Sequence, residues 1–434
     1  MVKVISLLDS SVEKIRKEEQ IMNREYLEKL ARLAILSGVN LQKGQTLMIQ
    51  ADVEMSELTE ACAKEAWKAG AEDVIVWYED IKAQRDMFEH ASMEVLQTAP
   101  AGYVAAMEDV AKKGGAFLRI DGEDPDAFAG IDPKRLDARR IAKRKACPIY
   151  REGIDSGRLA WSIIACPTKA WAKRVYPDLE EDQAMEKLWE DVFSISRIDE
   201  NDPLENWKEH SQNLKNEIAR LHDKKIVRFH YTSANGTDLW VDMPEGYLFE
   251  GGSSTLSNGT PINCNIPTEE IFSAPKKDGV NGTLEAVLPL SVNGTLVENF
   301  GFTFKDGKAV DLHAEKGEET LRSILDTDES SRYLGEIALV DKRSPIRQSG
   351  KIFYNTLFDE NAACHFAFGQ SYAETMENGL EMTRDELEAA GMNQSDIHVD
   401  FMVGAEDLKI EGITEDGEVV PVFENGSFTA EFDQ

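Results

Sequence analysis

The chain has 434 residues, enough for two or three domains at roughly 100–200 residues each. Of these, 42% are hydrophobic, 8% aromatic and 29% charged, the make-up of a globular protein and not of a disordered one. Asp and Glu total 80 against 48 Lys and Arg, a formal charge of -32. A surface this negative repels phosphate backbones and anionic headgroups, so neither nucleic acid nor a membrane surface is expected as a partner, whereas divalent cations and amine-bearing ligands are. No apolar run approaches the roughly 20 residues that cross a bilayer.

In chain order, residues 1–21 come first and stand apart. The apolar stretch Val4–Leu8 is too short for a secretory signal and is soon followed by Glu13, Glu18 and Glu19. Met22-Asn23-Arg24 opens a helical pattern, so Met22 is expected as the natural start, with an amphipathic arm over 1–21 as the other reading. Five scattered cysteines, Cys62, Cys147, Cys166, Cys264 and Cys364, form no C-x-x-C pair and suit reduced thiols in a cytoplasmic protein.

Tyr26–Gly38 places leucines at helical spacing before a glycine stop, and Met55–Gly70 is a second helix of the same kind. Between and after them lie continuous apolar runs at Thr46–Ile49, Asp73–Tyr78, Gly115–Ile120 and Leu159–Cys166. Buried-type strands alternating with helices predict a parallel sheet covered on both faces, so residues 22–200 are expected to form a doubly wound α/β domain.

The pattern changes at Asp199–Pro203. A helix is predicted over Leu204–His222, and beyond it short alternating segments are punctuated by Asn235-Gly236, Asn258-Gly259, Asp278-Gly279, Asn281-Gly282, Asn293-Gly294, Asp306-Gly307, Asp416-Gly417 and Asn425-Gly426. Such pairs supply the positive φ angles of two-residue hairpins. Residues 201–434 are therefore expected to form an antiparallel, hairpin-rich α+β domain, interrupted by one helix at Thr383–Gly391. The five Asn-Gly-Thr/Ser sequons in this set read as turns.

No H-E-x-x-H, G-x-x-x-x-G-K-[ST], G-x-G-x-x-G or G-x-S-x-G motif is present. What stands out is a set of polar residues in apolar surroundings. Glu336 sits within Tyr333–Val340, where a buried carboxylate needs a cation or a metal, and Arg332 or Lys342 would serve as the simple ion-pair partner. His398 and Asp400 alternate with Ile397, Val399 and Phe401, which puts both on one strand face, either a solvated face or a ligand pair. Glu360 and His365 lie in Phe358–Gly369, where a satisfied core histidine is the alternative. Of Glu269 and Glu270, only one can face inwards if the segment is extended. Four carboxylates and two imidazoles together would suit two divalent ions, zinc, cobalt or manganese, better than a soft thiolate metal.

Asn265–Pro275, Tyr333–Val340, Ser344–Gly350, Phe353–Gly369 and His398-Val399-Asp400 resemble the aminopeptidase T/aminopeptidase S family of bacterial metallopeptidases, from about Met22 to the carboxyl end. The resemblance implies a two-metal aminopeptidase that acts on peptides with a free amino terminus and forms a homodimer. It implies Glu270, Glu336, Glu360, His365, His398 and Asp400 as metal ligands, with Glu336 bridging and Glu269 the alternative to Glu270. It also implies Tyr372 beside the metals as a stabiliser of developing charge, and leaves Glu269 as a spare carboxylate able to carry the proton to the leaving amine. Arg347 stands where the family pattern leads one to expect a smaller polar residue. The competing functions are a metal-dependent amidase or deacylase on non-peptide amides, and a small-ligand-binding protein with structural metals.

Overall fold

The computed structural model describes residues 24–432 apart from 123, 293 and 294. The expected start at Met22 and the reading of residues 1–21 lie outside the described residues, as does the turn Asn293-Gly294.

The chain enters through a helix at 24–33 that ends in a π turn, Ala34–Gly38. Four parallel strands follow, β1 (Thr46–Asp52), β2 (Asp73–Glu79), β3 (Ala116–Asp121) and β4 (Trp161–Ala165), arranged in the order β2-β1-β3-β4. Strand alternation splits their side chains between two cores. Leu47, Ile49, Leu118 and Ile120 meet one helical layer, while Met48 and Phe117 meet Tyr103, Met107 and Val110 of the helix Ala101–Lys112 on the other face. Helices thus cover both faces, the doubly wound arrangement expected from the continuous apolar runs.

After the 21-residue helix Pro203–Asp223, capped by Asp202, the chain turns to strands. In order these are β5 (Ile226–Thr232), β6 (Asp238–Asp242), β7 (Glu250–Gly251), β8 (Ser254–Thr255), β9 (Pro261–Ile262), β10 (Asn265–Ile266) and β11 (Glu270–Ser273). Next come β12 (Val280–Glu285), β13 (Leu290–Val292), β14 (Thr295–Lys305), β15 (Lys308–Lys316) and β16 (Leu334–Val340). The last are β17 (His365–Gly369), β18 (His398–Met402), β19 (Lys409–Thr414), β20 (Val419–Glu424) and β21 (Ser427–Phe428).

They form a nine-stranded sheet and a five-stranded antiparallel sheet of order β18-β17-β16-β11-β7. The two pack through an aromatic layer in which Phe302 lies 4.8 Å from Phe368 and 5.1 Å from Phe401, and Tyr231 lies 5.1 Å from Phe366. Three strands of this half lie outside those sheets: β8 and β9 pair with each other, and β10 pairs in parallel with β4 and extends the first sheet.

Two local expectations differ from the structure. Asn281-Gly282 is not a turn but lies inside β12, where a Cβ on Gly282 would stand 2.1 Å from the Asp238 carbonyl oxygen, so glycine is required by close approach of the neighbouring strand. A helix at Glu318–Leu325 joins the expected one, observed as Arg384–Ala389 behind a Thr383–Glu386 capping box; its Leu321, Ile324 and Leu325 supply a short buried stripe.

Candidate metal centre

Period-2 alternation gives the five-stranded sheet two opposite characters. Ile271, Ile337, Leu339, Phe366, Phe368 and Phe401 point into the aromatic core. Their sequence neighbours Glu270 on β11, Glu336 on β16, His365 on β17, and His398 and Asp400 on β18 then share the other face. Register aligns them: Glu336 opposes Ala367, which opposes Asp400, while Ala338 opposes His365. The positions between the polar side chains are Ala338, Ala367 and Gly369, so this face carries a hollow.

In the hollow, His365 Nε2 lies 3.0 Å from Glu270 Oε2 and 3.9 Å from Glu336 Oε1. His398 Nε2 lies 3.1 Å from Glu336 Oε2 and 3.3 Å from Asp400 Oδ1. Two groups of possible ligand atoms result, Glu270–Glu336–His365 and Glu336–His398–Asp400, each within 4.8 Å, and Glu336 belongs to both. Neither simple ion-pair partner reaches Glu336: Arg332 pairs with Asp326 at 2.6 Å, and Lys342 lies 4.0 Å from Glu406.

Glu360 enters from the turn Glu360–Ala362, above the sheet. Its loop is tied down by Asp359, whose carboxylate accepts the Phe353 and Asn355 backbone N–H groups at 2.8 and 3.2 Å. The loop also reaches the first domain, through Trp171 Nε1 to the Phe353 carbonyl at 2.6 Å and Asn355 Nδ2 to Asp121 at 3.1 Å. Tyr372 lies over the site, its ring centroid 4.8 Å from that of His398.

The electrostatics describe a site short of positive charge. Burial, then the negative charges of Glu270 and Asp400, push the Glu360 carboxyl well above its usual range, against the pull of His365. Glu336 is raised as well, by burial, with His398 opposing. Burial disfavours the His365 cation, yet the surrounding carboxylates, Glu270 first, push its pKa up to about 10. His398 is likewise raised despite burial, and Asp400 is lowered despite burial because His398 and His365 stand beside it.

A divalent cation fits this donor set. Glu270 Oε2 is buried and lacks a hydrogen-bond partner, since the nearby His365 Nε2 meets the distance but not the direction of a hydrogen bond. Each imidazole has Nδ1 against a backbone carbonyl, Ala363 at 3.2 Å for His365 and Gln370 at 2.8 Å for His398. With Nδ1 held against that carbonyl, Nε2 is the ring atom turned to the carboxylates, and a divalent ion bound between them would take the place of the proton that the raised pKa keeps there.

Glu269 is not part of the cluster. Strand phase turns it the opposite way from Glu270, and Arg197 holds both its oxygens, Nη1 to Oε1 at 2.5 Å and Nη2 to Oε2 at 2.8 Å. With both oxygens committed to a guanidinium, the carboxylate does not stand free as the expected proton carrier. Arg347 lies outside as well, paired with Glu406 at 3.0 Å. Sequence reading passed over Glu374, on the turn Ala373–Thr375, whose pKa is pushed up to about 7 by burial and by Glu250 and Glu336; a lone glutamate in a turn carries no local signal. It also passed over Arg197 and Asn361, which support the ligand-bearing segments from a distance.

Fold and donor set together define a metalloenzyme whose centre sits on the polar face of an antiparallel sheet, beside an α/β domain. Residues 23–428 match the family described as thermophilic metalloprotease (M29). The chain is 43% identical over 412 residues to aminopeptidase 2 of Geobacillus stearothermophilus, covering 94% of this chain and all of the relative, and 40% identical to aminopeptidase AmpS of Bacillus subtilis, covering 93% and 98%. Among solved structures it resembles wild-type AmpT from Thermus thermophilus, with TM-score 0.87 and 38% identity over 94% of this chain and 99% of that one. The chain belongs to the M29 metalloprotease family, and it is a metal-dependent aminopeptidase.

Proposed function

We propose that this aminopeptidase removes the first residue of peptides bearing a free amino terminus, using two divalent ions held by Glu270, Glu336, Glu360, His365, His398 and Asp400. The observation that carries the reading is that Glu336 belongs to both groups of possible ligand atoms, as a bridging carboxylate must. Bound there, a pair of zinc, cobalt or manganese ions would polarise the scissile carbonyl and acidify a water. The chain's own residues do the rest. His365 and His398 present Nε2 because their Nδ1 atoms are tied to the backbone. Tyr372, half exposed above His398, is placed to donate its hydroxyl to charge developing on the carbonyl oxygen. The α/β residues 22–200 support the loop that carries Glu360, and residues 201–434 carry the chemistry.

The reading also includes a cytoplasmic location, supported by five free cysteines, and a homodimeric assembly, supported by the family resemblance. No described helix is long and apolar enough to cross a membrane. The test is hydrolysis of a panel of aminoacyl anilides, with amino-acetylated controls, by chelator-stripped protein before and after addition of cobalt, zinc or manganese. Release from free-amine substrates alone, restored by metal, is the expected result. Equal release from the acetylated controls would turn the assignment to an amidase, and silence with every metal in folded, loaded protein would overturn it.

A further inference from the structure

The Arg197–Glu269 pair sits directly behind the metal centre and is held from three sides. Arg197 follows the helix Glu181–Ile195 in a left-handed conformation, φ 56°, uncommon for a residue with a side chain. The helix Pro203–Asp223 fixes that turn: Asn206 Nδ2 donates to the Arg197 carbonyl at 3.0 Å, and Trp207 Nε1 donates to the Ser196 carbonyl at 2.7 Å. From the same helix His210 Nε2 lies 2.7 Å from the Thr268 carbonyl, one residue before Glu269. On the far side the Glu269 N–H donates to Asn361 Oδ1 at 2.7 Å. Asn361 is fully buried, adjoins Glu360, and donates its own Nδ2 to the Leu357 carbonyl at 3.1 Å. Backbone and side chain of Glu269 are thus pinned between the segments that bring Glu270 and Glu360 to the hollow.

We propose that the bidentate Arg197–Glu269 bridge is a positioning clamp: it sets the phase and height of the first residue of β11, and so holds Glu270 against Glu336 and His365 where an ion binds. Arg197 and Glu269 are positioning residues and touch neither substrate nor ion. The proposal rests on the reading of Glu270 as a ligand.

The sign of one substitution separates this role from simple electrostatics. Arg197→Gln exposes the Glu269 carboxylate behind a cation site, so Coulomb attraction alone would tighten metal binding. A clamp predicts the reverse, because Glu270 loses its fixed position. Zinc binding to chelator-stripped, full-length protein is measured by titration calorimetry for the parent, Arg197→Gln, Arg197→Lys and Glu270→Gln, with ions per chain and apoprotein melting recorded for each. Arg197→Gln is expected to keep the number of sites and weaken one of them by about ten- to a hundredfold, the range found for residues that orient metal ligands. Arg197→Lys, which keeps the charge but not the fork, should weaken it less. Unchanged or tighter zinc binding in Arg197→Gln, with only a lower apoprotein melting temperature, would reduce the pair to a structural salt bridge. Should that variant not fold, Arg197→Lys decides on the same criterion. Glu270→Gln is expected to lose one ion; if it keeps every ion at parent affinity, the ligand reading fails, whereas loss of an ion there beside parent-like binding in Arg197→Gln or Arg197→Lys overturns the clamp alone.

Discussion

The two faces of the β18-β17-β16-β11-β7 sheet are built from the same few strands, yet they solve opposite problems. On one, Phe366, Phe368, Phe401, Ile337 and Leu339 bury apolar surface against the nine-stranded sheet, and no charge has to be accommodated. On the other, Glu270, Glu336, His365, His398 and Asp400 occupy the alternate positions, and buried carboxylates face the Nε2 atoms of imidazoles whose Nδ1 atoms are committed to the backbone. Histidine shows the contrast most directly. On the acidic face His365 is driven up to about 10, while His222, whose ring lies 6.4 Å from that of Phe249 at the edge of the aromatic core, is lowered by burial. One face is complete in itself, and the other requires a cation that the polypeptide does not supply. A strand with period-2 alternation lets both coexist without either compromising the other.

Because the two faces are separate, each can be damaged alone. The largest effect belongs to Glu336→Gln, an isosteric change at the residue shared by both ligand groups. Turnover should fall by more than about a hundredfold, since residues that merely orient metal ligands already account for 10–100-fold. Far-UV circular dichroism should stay that of the parent. Parent-like turnover would remove Glu336 from its bridging role.

The opposite lesion is Phe368→Ala. Phe368 is 1% exposed, stacks on Phe304 and Phe401 and meets Phe302 edge-on. Its truncation should lower stability by about 3–5 kcal/mol in denaturant melts, while zinc affinity of the folded fraction stays within a few-fold of the parent. A loss of zinc affinity as severe as the loss of stability would show that the faces are coupled, and the comparison would break there.

Chelation probes the acidic face without mutation. Metal-stripped protein should remain folded, because the aromatic core does not depend on the ion, but melt earlier. Adding free zinc at about 100 times its dissociation constant should return about 2.7 kcal/mol for each site that exists only in the folded state. An apoprotein without cooperative melting would mean that the polar hollow is needed for folding itself.

The same contrast explains what could be read from the chain. Glu336, His365, His398 and Asp400 were visible because each interrupts an apolar strand pattern, and a strand with one wrong-polarity face is a local signal. The four parallel strands were legible for a related reason, as continuous apolar runs. Glu269 and Glu270 could not be separated, because a slip of one residue exchanges the two faces and nothing in NIPTEEIF sets the phase. In the structure the phase is set by Arg197 and Asn361, 72 and 92 residues away. The return of β10 to the first sheet is long-range in the same sense, since Asn265 pairs with Ile163. Asn281-Gly282 misled in the other direction: its local chemistry spells a turn, but a neighbouring strand needs the missing side chain more.

The smallest expected effect tests the quiet face. His222 Nε2 accepts the Phe249 N–H at 2.9 Å, so the neutral imidazole is the form that suits the fold. Its pKa is held below the ordinary 6.5 in the native state, so between the two values the unfolded chain binds a proton that the native chain does not. The stability contributed by the neutral ring is therefore fully present above about pH 6.5 and is lost as pH falls towards the native value. Over one pH unit below 6.5 the loss cannot exceed about 1.4 kcal/mol. His222→Gln keeps an acceptor for Phe249 but does not titrate, so it should lose less stability than the parent between pH 7.5 and 5.5. The metal ligands also titrate on acidification, but they do so in both proteins, and the difference between the two pH profiles isolates His222. Coincident profiles would mean that its ring is hydrated enough to take up its proton while folded, and the boundary of the dry face would then lie inside Phe249.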